Sequence, residues 1–145
     1  ATSNPQEFRR MTTEVQARDA IVAYFHPAWT ATYPMVPVYY ENTVRIDLDT
    51  VGQAFVSVSI DFTDSLREGI DPSPITGSYG EVTFRLFAKD GVGVRDTLGR
   101  SNYIREMIKY RELSGVTLDC PRPGRKQARD GWTSFDLIVP FRFWQ

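Results

Sequence analysis

The chain has 145 residues and a mass of 16.6 kDa, the size of one ordinary domain that buries about two thirds of its unfolded surface. Hydrophobic residues make up 41% and exclude global disorder; 17 basic against 18 acidic groups leave a net charge of -1, which excludes a globally basic nucleic-acid binder but not a local basic patch. One cysteine, Cys120, and one histidine, His26, exclude an intrachain disulfide, a multi-cysteine zinc site and any mechanism needing two histidines in one chain.

The segment from Ala1 to Arg10 is polar, carries no signal-peptide pattern, and reads as a short arm. No apolar run approaches the roughly 18 residues of a membrane span. A start at Ala1 fits removal of an initiator methionine, and the expected compartment is the cytosol or wherever a protein assembled there ends up. We divide the chain into an arm over 1–12 and a single domain over 13–145.

From Thr13 to about Tyr24 the pattern is helical, with Thr12 or Thr13 as N-cap and Val15, Ile21, Val22 and Phe25 on one face. Pro27 is expected to end or kink this helix, because it lacks an amide hydrogen and clashes with the preceding turn. Trp29 and Tyr33 then pack back over the helix end. Val36 to Tyr40 reads as a short edge strand between prolines, and Glu41 to Thr50 as a polar connection. Ala54 to Phe62 is the clearest strand: Val56, Val58, Ile60 and Phe62 alternate with Ser57, Ser59 and Asp61.

Thr63 to Ser78, rich in Gly, Pro, Ser and Asp, reads as a long loop, and a loop of that length is expected to be functional or flexible. Tyr79 to Ala88 returns to strand, where Phe87 breaks the polar face and points to a second layer or a partner. Asp90-Gly91 and Gly93 make a turn. Asp96 or Thr97 caps a second helix predicted to reach about Leu113, with Leu98, Ile104, Met107 and Ile108 inside and Gly115 marking its end. A short strand at Val116 to Cys120 precedes a basic loop over Pro121 to Gly131. The last strand, Thr133 to Phe143, carries Phe135, Leu137, Val139, Phe141 and Phe143 on one face; Pro140 within it suggests an edge or a bulge. The expected fold is therefore α+β, two-layer, with a mostly antiparallel sheet covered by two helices.

Little in this pattern carries chemistry. His26, at a helix end before Pro27, reads as a capping or packing group. Cys120 has no local base and reads as a small apolar group. Asp47 with Asp49, and Asp61 with Asp64, are acid pairs of the kind that runs glycoside hydrolysis or holds a cation, but they read first as solvated loop charges. The Gly91-x-Gly93 turn is not a dinucleotide fingerprint, since Asp96 stands where the third glycine belongs and would repel a phosphate. No catalytic residue, cofactor or metal ligand is assigned.

Interface features stand out more. Arg122, Arg125, Lys126 and Arg129 fall within eight residues, suited to an acidic partner face or to phosphates; a protein partner is favoured because no aromatics for base stacking are interleaved. Trp144 is out of phase with Phe141 and Phe143, so it faces the other side of the sheet.

The chain then resembles a known family. An N-terminal helix is followed by Val36-Pro37-Val38-Tyr39-Tyr40-Glu41-Asn42, the strand Phe55-Val56-Ser57-Val58, and Gly80-Glu81-Val82-Thr83-Phe84-Arg85-Leu86-Phe87-Ala88 with its Gly-x-Gly turn. An amphipathic helix and a closing aromatic strand complete the order. Over about residues 13 to 143 this pattern of class and order is similar to the tail terminator (tail completion) proteins of long-tailed bacteriophages. The resemblance implies a structural virion protein, not an enzyme. It would form a ring, as a hexamer, that caps the tail tube, stops its polymerisation and offers the docking surface for the head-tail connector or neck protein. DNA would pass through the channel without sequence-specific binding, and no membrane is involved.

A closed ring needs two different complementary patches on each subunit. The basic loop is expected to supply one and the acidic stretch with Asp61, Asp64, Glu68 and Asp71 the other, with Phe87 and Trp144 as further interface candidates. Two alternatives belong beside this reading: another neck, head-completion or tube protein of the same virion, and a small carboxylate hydrolase that would gather Asp47, Asp49 or Asp61 beside His26.

Overall fold

In a computed structural model of the protein, the structure describes residues 12–41, 52, 54–68, 75–91 and 95–144. The elements in chain order are α1 (Glu14–Thr32), β1 (Val38–Tyr40), β2 (Ala54–Glu68), β3 (Ile75–Lys89), α2 (Arg95–Ile108), β4 (Glu112–Leu113), β5 (Val116–Leu118), β6 (Arg122–Arg129) and β7 (Trp132–Trp144).

Helix α1 begins with a capping box. The Thr13 hydroxyl accepts from the Gln16 amide at 3.1 Å, and the Gln16 side chain accepts from the Thr13 amide at 3.0 Å. The helix does not stop at Pro27 but runs through it to Thr32. Its buried stripe is Ala17, Ile21, Phe25 and Trp29, four residues apart throughout, so the apolar face continues beyond the proline. Val15, expected on that face, is 69% exposed. A proline inside a helix costs about 3 kcal/mol. Burying Trp29 contributes about 4–6 kcal/mol by area, and its indole nitrogen donates to the Val36 carbonyl at 2.9 Å. Pro27 lies on the exposed side, where the missing bond leaves its acceptor near water.

Strands β2 and β3 form a long antiparallel pair that continues well past the expected strand ends. Leu66 pairs with Gly77 and Glu68 with Ile75, across a bulge between Phe62 and Asp64. Much of the loop predicted over 63–78 is thus strand; residues 69–74 lie outside the described residues. The composition pointed to loop, but β7 pins the β3 half of it, Gly77 opposite Trp144 and Tyr79 opposite Arg142.

The predicted basic loop is also a strand. β6 pairs with β7 from Arg129↔Trp132 to Arg122↔Ile138, with Pro123-Gly124 at a register break. An edge strand with a break is where proline is tolerated. The connection is the two-residue turn Asp130-Gly131, both at positive φ (53° and 83°), the turn that suits a twisted hairpin.

β7 is not an edge strand. It lies between β3 on one side and β6 followed by β5 on the other. Pro140 falls in the gap between Ile138, the last partner of β6, and Phe141, the first register partner of β5, so its missing donor interrupts neither ladder. Helix α2 ends at Ile108, five residues short of the expected Leu113. The chain turns through Tyr110 (φ 54°) into the β4–β5 hairpin, which Gly115 closes. Leu98, expected inside, is 52% exposed, and Thr97 takes its place in the core.

The sheet order is β1-β2-β3-β7-β5-β4, with β6 joining β7. The fold is α+β, with two helices on a mostly strand scaffold. The expectation of a simple antiparallel layer needs correction: β1 runs parallel to β2, so the sheet is mixed, and it curls into a half-barrel. Both helices share one core with one face of the sheet, built on Val56, Val58, Val82, Phe84, Leu86, Leu137, Val139, Phe141 and Phe143. Phe25 meets Phe84 with ring centroids 4.8 Å apart, and the Tyr24 hydroxyl donates to the Met107 carbonyl at 2.6 Å, tying the helices together.

Candidate assembly surface

The helices cover one face, so strand alternation sends the other set of side chains outward. At one end of that outer face Phe55 stacks on Phe87 (4.3 Å, interplanar 10°), flanked by Tyr39 and Trp132. Phe87 therefore belongs to a second, smaller apolar cluster. Toward the middle, Arg85 grips Asp136 in a bidentate ion pair at 2.8 and 3.2 Å. That carboxylate raises the Arg85 pKa above its ordinary value through the hydrogen bond, against a smaller lowering by burial.

The next rows are acidic. Asp61 lies directly across from Glu81 in the β2–β3 register, two like charges on neighbouring strands. Glu81 is met by Arg122, which reaches over β7 to 3.3 Å. Asp61 accepts only from the Ser59 hydroxyl, at 3.3 Å, and has no cation partner among the described residues. Glu41 stands where β1 ends: its carboxylate accepts from the Ile60 amide at 3.0 Å and from Ser59 at 2.9 Å, replacing the missing strand. By register Asp64 is opposite Tyr79 and Glu68 opposite Ile75. Asp71 lies outside the described residues, as do Asp47 and Asp49.

On the other flank all eight residues of β6 are exposed. Lys126 folds over the Phe135 ring, its nitrogen 5.4 Å from the centroid. Arg129 has only a loose contact of 3.5 Å with its neighbour Asp130, both groups well exposed. Arg125 has no anionic partner among the described residues. Trp144 is 37% exposed, and its carbonyl accepts from the Thr12 amide at 2.6 Å.

Of the residues weighed for chemistry, Asp61 lies on the acidic flank and His26 on α1. His26 shares a hydrogen bond of 3.0 Å with the Tyr40 hydroxyl, joining α1 to β1, and burial pushes the Tyr40 phenol up to about 12 against a smaller lowering by Arg18. Cys120 is exposed, and its thiol beside Tyr110 raises that phenol. Among the described residues no three of the His, Cys, Asp and Glu side chains gather as metal ligands do. An open groove of about 350 Å³ is lined by Tyr79, Tyr110, Thr117, Asp119, Pro140 and Arg142. No helix among the described residues is long and apolar enough to cross a membrane.

Glu41, Glu81, Arg85 and Asp136 belong to this surface and were not singled out in the sequence. Their partners lie 18 to 51 positions away, and only strand register brings them together. The strand character of β6 did have a local signal: Asp130-Gly131 between two extended runs is a strong hairpin mark.

No protein-family model matches the chain, and no curated protein matches it. Twelve chains of solved structures do match. One of them, which carries no functional name, is 11% identical and superposes with a TM-score of 0.67 over 87% of this chain and 92% of its own. Likeness at that identity establishes the fold alone.

Proposed function

We propose that this chain is a structural virion protein of the tail terminator kind. It forms a ring, as a hexamer, that caps the tail tube, stops its polymerisation and presents a docking surface to the head-tail connector. DNA passes through the central channel with no base-specific contact. The reading rests first on the resemblance carried by residues 13 to 143. The structural observation that supports it best is the uneven covering of the sheet. Both helices pack on one face, the other face carries an acidic row and an aromatic cluster, and a basic strand lies fully exposed along one edge. Such a domain has two unlike flanks to offer, which a closed heterologous ring requires.

The test is functional. Purified protein added to growing tail tubes should cap them at the head-proximal end, and antibody labelling of finished particles should mark the neck. Tubes that lengthen unchecked in its presence, together with label elsewhere on the particle, would refute the reading; label along the whole tube would instead favour a tube subunit of the same virion.

A further inference from the structure

We infer that the subunits join head to tail through charge, the Arg125–Arg129 stretch of β6 on one copy docking against the Asp61–Glu81 flank of the next. This deepens the ring reading above and rests on it for the closure of the assembly. The two patches lie on opposite flanks of one sheet, β2 and β3 on one side of β7 and β6 on the other. From β2 to β6 is three strand spacings, about 14 Å, and Arg129 is placed further off still, opposite Trp132 at the far end of β7. Arg122 bridges the two patches within one copy by reaching Glu81, but neither Arg125 nor Arg129 can reach Asp61, so these three charges are left to meet a neighbour.

The structure also narrows the residues. Arg122 is already engaged with Glu81, and Lys126 lies over Phe135. Arg125 and Arg129 are the cations of β6 left to meet a partner. On the acidic side Glu81 already has Arg122, whereas Asp61 has no cation among the described residues, so an incoming guanidinium would gain Asp61 as its partner.

The contact is made by side chains and not by sheet extension. Pro123 offers no amide, the register breaks between Pro123 and Lys126, and cations punctuate the strand; all three features oppose pairing of β6 with another strand edge. A second copy fits better than nucleic acid, because Asp130 stands beside Arg129 and Glu81 beside Arg122, carboxylates along the same basic strand that would repel phosphates.

The experiment is light scattering coupled to size exclusion on the full chain at low and high salt, with two charge-reversal variants. R125E/R129E reverses β6, and D61K/E81K reverses the acidic flank; circular dichroism checks that both fold. The wild type should assemble and loosen as salt rises. Each variant alone should associate at least about a hundredfold more weakly, since like charges are then juxtaposed. An equimolar mixture should assemble again, because every junction in an alternating ring is complementary.

Folded variants that assemble like the wild type overturn the inference, as does a mixture that stays apart. A wild type that is monomeric at both salts, or that assembles only when DNA is added, overturns it too. None of those outcomes touches the tube-capping assay, so failure of this contact and failure of the proposed function are read separately.

Discussion

Replacing Gly80 with alanine tests how the long β2–β3 pair is held against β7. Gly80 sits opposite both Phe62 and Phe141. A Cβ added there would overlap the Asp61 carbonyl oxygen and the Phe141 ring, whose Cε1 would lie 2.8 Å away. The Phe141 ring is itself held edge-to-face by Phe62, at 5.7 Å and 89°. One clashing group is backbone in a paired strand and the other is a buried ring, so neither yields cheaply. Overpacking of this kind costs about 1–3 kcal/mol, and backbone involvement places G80A at about 3.

Unfolding entropy for a chain of this length is about 0.3 kcal/mol/K, so the melting temperature should fall by about 10 °C. The internal control is G99A. Gly99 lies within α2 with nothing within 4 Å of a new Cβ. Alanine there gains about 1 kcal/mol of helix propensity and should raise melting by about 3 °C. Calorimetric scans of both variants decide the matter. A G80A melt within 3 °C of the wild type would refute the claim that Phe141 and the β2 backbone close on that position.

Two further outcomes follow from the helix and its edge strand. Thr13→Ala removes the reciprocal cap of α1 and should cost about 1 kcal/mol, read in urea titration as a lower midpoint at unchanged slope. Tyr40 bears on alkaline stability. Its folded pKa is raised from 10.0 to about 12, so the unfolded chain gives up this proton first. The stability it contributes is fully present below pH 10 and is lost as pH rises toward 12. The difference between wild type and Y40F should therefore shrink over that window, and a constant difference from pH 9 to 12 would contradict the burial assigned to this phenol.

Local chemistry was legible from the sequence. A cap at Thr12 or Thr13 needs only a hydroxyl before the first helical turn, which the structure puts at Thr13, and the alternation from Ala54 to Phe62 needs only a half-buried sheet. Both appear where they were read. The α+β class and the outward turn of Trp144 were legible for the same reason: side-chain direction repeats with a short period.

Tertiary structure decided what depends on distant partners. Pro27 stays helical because Trp29, one half-turn later, has a pocket to fill and the Val36 carbonyl to bond. Residues 63–68 and 75–78, and the basic run from Arg122 to Arg129, look like loops by composition. They are strands because neighbouring strands offer backbone partners to their amides and carbonyls. The same holds for the candidate surface. Its cations and acids could be named one by one from the sequence, but register alone sets Asp61 against Glu81 and hands Glu81 to Arg122. Charge is a property of each residue, whereas its satisfaction depends on which strand lies next to it.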